Sequence, residues 1–114
     1  MTKPLIHQLP QVHIYGQPSW HDNAHVIGNR AGLEALRDAI NDALRTGAQQ
    51  AEVYATDGEG YGIKVVELAD AILDEMPLPY TDPEAREMVT KPWPDVVRRA
   101  VIELNRKRRA GQGS

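Results

Sequence analysis

Five of the chain's eight prolines fall between Pro77 and Pro94. That density forbids a long helix or strand there, because each proline removes a backbone donor and fixes φ. The 114 residues therefore divide into a body at 1–76, a proline-rich arm at 77–94 and a C-terminal helix at 95–110. A chain of this length is expected to be one folded domain. Leu78, Tyr80, Met88 and Trp93 make the arm too apolar for a free linker, so it is expected to wrap on the body or cross to a partner.

The strongest element of the body is a helix between Asn29, a residue suited to the N-cap, and Gly47, suited to the position just past the C-terminus. Leu33, Leu36, Ile40 and Leu44 recur at spacings of three and four, and Ala39 and Ala43 widen that stripe into the expected packing face. Two short strands precede it, QVHIYG (11–16) and AHVIG (24–28), separated by a polar loop with Trp20, His21 and Asp22. Two more follow, AEVYAT (51–56) and YGIKVVEL (61–68), joined through Asp57-Gly58-Glu59-Gly60 as a hairpin. A short helix at 69–75 ends the body. Beyond the arm, Val97, Ala100, Val101 and Leu104 give the last helix an apolar stripe. The expected fold class is α+β: a small antiparallel sheet of about four strands packed on one long helix, with a proline-rich arm and a basic C-terminal helix.

Charge is distributed unevenly. Residues 1–94 hold seven Lys/Arg against fourteen Asp/Glu, a net of −7, whereas residues 95–114 hold six against two, a net of +4. A basic end on an acidic body points to an anion, RNA or an acidic partner surface near the C-terminus; the alternative is a solvated helix end that complements the helix dipole. The acidic body argues against a reader of duplex DNA, which needs a broad basic footprint. The absence of cysteine excludes disulfides, thiol catalysis and Cys-based metal centres. No apolar run is long enough to span a membrane, and the segment MTKPLIHQLP has no signal-peptide core, so a cytoplasmic location is expected.

Signals for catalysis are weak. His21 and His25 have an H-x₃-H spacing with Asp22 alongside, but on a loop and strand that spacing does not aim two rings at one ion, so no metal is expected. Ser19 lacks a glycine-flanked elbow and an oxyanion donor pair. The carboxylate pairs Asp57/Glu59 and Asp74/Glu75 sit where acidic residues are usually solvated. DGEGY (57–61) is a turn by composition, and its glycines would also let backbone N–H groups approach a ligand beside the Tyr61 ring. It is neither a P-loop nor a dinucleotide fingerprint, because no strand–glycine–helix order surrounds it. No enzyme activity and no cofactor are expected.

The string HDNAHVIGNR (21–30), followed by GLEALRDAINDAL (32–44) and DGEGYGIKVVEL (57–68), resembles small uncharacterised proteins of phages and bacteria that carry I-G-N-x-x-G-L-x-x-L-x-x-A-I before D-G-E-G-Y. The likeness extends to LPYTD (78–82) and misses both ends. Small phage proteins of this size and make-up are similar to anti-defence sponges, oligomers that sequester cyclic-nucleotide immune signals. The long helix with its preceding strand also resembles immunity proteins of toxin systems, which bind a toxin domain through a surface.

The resulting expectation is a non-enzymatic homo-oligomer that sequesters a phosphorylated small ligand such as a cyclic nucleotide. Arg98, Arg99, Arg106 and Arg109 are the candidate phosphate contacts, because guanidinium groups bind phosphate bidentately. Trp20 or Tyr61 would supply a stacking face, with Trp93 a further aromatic within the same set. Asn29 and Arg30, at the start of the long helix, form a second candidate anion site. The alternative is a protein-interaction module, either a toxin immunity protein or a phage inhibitor of a host protein, whose acidic body covers a basic partner surface.

Overall fold

The computed structural model describes residues 9–79 and 92–112, with side chains as far as Lys107. Residues Tyr80 and Met88 of the arm, the TD of LPYTD and the side chain of Arg109 lie outside the described residues. The order is β1 (Val12–Tyr15), β2 (His25–Gly28), α1 (Arg30–Thr46), β3 (Ala48–Tyr54), β4 (Gly60–Val66), a four-residue helix α2 (Asp70–Leu73) and α3 (Asp95–Gln112). This is the expected α+β architecture. No helix among the described residues is long and apolar enough to cross a membrane.

The four strands form two antiparallel ladders, β1–β2 and β3–β4. A single parallel bridge from Gln11 to Tyr54 joins them, and the Tyr54 N–H donates to the Pro10 carbonyl (2.8 Å). His13 adds a second tie, its Nε2 accepting the Thr56 N–H at 3.1 Å. In β3 and β4 the pairing starts earlier than hydrophobic alternation predicts. Ala48-Gln49-Gln50 carries no strand signal, yet it pairs with Val66-Val65-Lys64. The chain turns directly out of α1 at Gly47, whose φ of 101° suits glycine, and the Gly47 carbonyl accepts from Glu67 to close the ladder's end.

Helix α1 begins and ends where the sequence places it, at the Asn29 cap and Gly47. Its packing face differs. Gly32, Ala39 and Ala43 are buried, while Leu33, Ile40 and Leu44 are 43%, 42% and 63% exposed. Small side chains let the helix approach the sheet closely, and the bulk of the core comes from the other side: Val12, Ala51 and Val53, flanked by Tyr61, Ile63 and Val65. The large aliphatic stripe expected to face the core therefore stands beside it, toward solvent. Helix α3 lies against the opposite face of β3–β4, near Ala48 and Val66, and buries Val97 and Leu104 as its stripe predicts.

Tyr61 locks the ladders together. Its ring packs on the core, its hydroxyl donates to the Val12 carbonyl, and burial raises its phenol above the ordinary value. The folded state thus holds this proton more tightly than the unfolded chain. Its contribution is fully present below the unfolded value, about 10, and is lost as pH rises through the higher folded value. Tyr61→Phe should lower stability at neutral pH by about 1 kcal/mol and flatten the alkaline limb of a urea-midpoint-against-pH curve. An unchanged alkaline limb would assign that pH dependence to other groups.

Candidate functional site

The structure distributes the candidate residues over separate surfaces. Asn29 is saturated. Its Oδ1 accepts the N–H groups of Gln11 (3.0 Å) and Gly32 (2.8 Å), and its Nδ2 donates to the Leu9 carbonyl (2.9 Å) and to Gln11 Oε1 (3.3 Å). An amide has two acceptor and two donor positions, so this side chain has none left for an anion. The side chain ties residues 9–11 to the start of α1. Arg30 lies elsewhere, in an open hollow with Leu33, Glu34 and Arg37.

The stacking candidates are also separated. Tyr61 is partly buried against the core, and its hydroxyl is bonded to the Val12 carbonyl. Trp20 is 57% exposed on a tight turn where the Asp22 N–H donates to the Ser19 carbonyl (3.1 Å) and the Ser19 hydroxyl donates to Asp22 (2.5 Å). His21 adopts a positive φ of 74° there and stacks on the Trp20 ring at 4.0 Å, which occupies one of its two faces. The DGEG segment is a turn: the Gly58 N–H donates to the Ala55 carbonyl (3.0 Å), and Asp57 Oδ1 accepts the Glu59 N–H (2.9 Å).

The arginines of α3 share one exposed face. At about 100° per residue, Arg98, Arg99 and Arg106 fall within about 100° of one another, spread over about 12 Å. Arg98 pairs with Asp95 and Arg106 with Glu103 (3.3 Å), each one turn away on the same helix. Exposed pairs of this kind contribute little to stability, but they offset the positive charge that a phosphate would need. The hydrogen bond from Arg98, then its charge and that of Arg99, hold the Asp95 carboxyl below its usual range.

One hollow does bring a candidate arginine to an aromatic ring. Asp74, Glu75, Pro92, Trp93, Pro94, Asp95 and Arg98 line a cavity of about 530 Å³. Trp93 is 45% exposed just before α3, whose first turn is set by the Val97 and Arg98 N–H groups donating to the Pro94 carbonyl (3.0 and 3.1 Å). Three carboxylates and one arginine line it, and the arginine is already paired with one of the three, Asp95. The lining carries a net negative charge, which disfavours a phosphate. Asp74 and Glu75 read as solvated carboxylates in the sequence. They lie some twenty residues before Trp93, across the proline-rich arm, and no local spacing connects them to it.

No known family matches the chain, and neither a curated protein nor a solved structure is significantly similar to it.

Proposed function

We propose that this chain is a cytoplasmic, non-enzymatic, homo-oligomeric binding protein whose partner is a protein with a basic surface. The observation that carries this reading is the hollow around the half-exposed Trp93, which is also lined by Asp74 and Glu75 and by an Asp95–Arg98 ion pair, leaving it a net negative charge. A lysine or arginine side chain from a partner would gain both a cation–π contact and charge-assisted hydrogen bonds there. The net charge of −7 on residues 1–94 would steer such a partner and make association slow as salt rises. A toxin domain held by an immunity protein, or a host protein held by a phage inhibitor, would both be bound in this way.

Sequestration of a phosphorylated small ligand is the second reading. It is favoured by Arg98 sharing its hollow with Trp93 and opposed by the three carboxylates beside them. One pair of measurements separates the two. Native mass spectra after incubation with cyclic and linear nucleotides should show the protein without nucleotide, and fluorescence titration with lysine- and arginine-rich peptides should report binding. Trp93→Ala should weaken peptide binding about tenfold or more, as for a central aromatic anchor, and the affinity should fall with ionic strength. Intact nucleotide retained at integer stoichiometry would reassign the protein to ligand sequestration.

A further inference from the structure

The large aliphatic residues of α1 lie outside the protomer's core, and their surroundings identify what covers them. At about 100° per residue, Leu33, Ile40 and Leu44 fall within about 40° of one another, forming a straight stripe three turns long, and each is more than 40% exposed. One border of the stripe is the helix edge that packs on the sheet through Gly32, Ala39 and Ala43. The other border, in order, is Arg30, Glu34, Arg37, Asn41 and Arg45. We propose that this face is the interface between two copies of the chain, with α1 of one protomer antiparallel to α1 of its partner about a two-fold axis.

The charge pattern supports this occupant, because the polar border is complementary to itself when reversed. In an antiparallel pair centred between residues 38 and 39, Leu33 meets Leu44 of the partner subunit and Ile40 lies on the aliphatic stem of Arg37 of the partner subunit. A two-fold axis across the helices brings the same border of each helix together, as in other isologous contacts. Glu34 then comes within about 3 Å, along the helix axis, of the level of Arg45 of the partner subunit, and Arg37 within about 1.5 Å of the level of Asn41 of the partner subunit, twice each. In a parallel two-fold pair the polar borders would lie on opposite sides of the seam, and these pairs would not form. Within the protomer, Arg45 reaches Asp42 (2.8 Å) and keeps guanidinium donors for a second carboxylate. Glu34 has no ion pair among the described residues.

This assigns a particular surface to the homo-oligomer proposed above, and it is independent of the Trp93 hollow. Sedimentation velocity over a concentration series tests it with four variants. Wild type should pass from monomer to dimer, and Ile40→Asp should remain monomeric with an unchanged circular dichroism spectrum, because that side chain is already exposed in the protomer. Glu34→Arg and Arg45→Glu should each weaken the dimer about tenfold. The Glu34→Arg/Arg45→Glu double variant should recover it, and an equimolar mixture of the two single variants should form heterodimers. A wild type that stays monomeric at every concentration overturns both the oligomer and this interface. An oligomer that persists in Ile40→Asp, or that ignores the charge reversals, keeps the oligomer and overturns the α1 interface.

Discussion

Gly32→Ala should destabilise the protein by about 3 kcal/mol, against the usual trend for this substitution. In an ordinary helix interior, alanine is better than glycine by about 1 kcal/mol. At Gly32 an added methyl would meet backbone: it would press into the Gln11 carbonyl, with the Gln11 carbonyl carbon at 2.6 Å and Val12 Cγ2 at 2.7 Å. Neither neighbour can move aside cheaply. Gln11 is held by the Asn29 side chain through its N–H and by the Asn29 N–H through its carbonyl (3.0 Å), and Val12 is fully buried. Overpacking against fixed neighbours costs about 1–3 kcal/mol and occasionally more, and the backbone contact places Gly32 at the upper end. A urea-unfolding midpoint well below wild type is the expected result. A midpoint at or above wild type would mean that α1 can withdraw from β1 without penalty.

Asn29→Ala should have a comparable effect for a different reason. Loss of an N-cap side chain alone costs about 1 kcal/mol. Asn29 also accepts from Gln11 and donates to the Leu9 carbonyl across a gap of eighteen to twenty residues, and each lost bond adds about 1 kcal/mol. The expected total is about 2–4 kcal/mol. Asn29→Asp separates the two contributions. Aspartate caps helices about as well as asparagine, but it replaces the amide donor with a second oxygen facing the Leu9 carbonyl. Asn29→Asp should therefore keep the helix cap and still lose more than 1 kcal/mol. Amide hydrogen exchange should show the Gly32 and Gln11 N–H groups, which keep their Oδ1 acceptor, still protected, with the loss confined to the segment at Leu9. Full stability in Asn29→Asp would reduce Asn29 to an ordinary cap.

Both predictions concern one joint, where β1, the start of α1 and the β1–β2 ladder meet. The parts of this joint were visible in the sequence as separate local signals: a capping asparagine and a strand with Val12 alternating against His13. What linked them was not visible, because the Asn29 amide reaches back across the whole Trp20 loop. The same limit applied to the site. Arg98 and Trp93 were recognisable as chemistry-bearing residues. That Asp74 and Glu75 line the same hollow depends on how the chain returns after the proline-rich arm.

The sequence by itself determined the elements: α1 from cap to terminal glycine, four strands, a glycine-bearing turn and a C-terminal helix with Val97 and Leu104 inward. Each of these follows from local constraints, namely dihedral preference, capping and period. Tertiary structure decided which of two adjacent apolar stripes on α1 would be buried. Hydrophobic periodicity weighs Leu33, Ile40 and Leu44 above Gly32, Ala39 and Ala43, whereas close packing on a sheet already filled by Val12, Val53 and Tyr61 leaves room only for the small residues. The stripe left outside is a consequence of volume, and volume is a property of both packed surfaces together rather than of either segment alone.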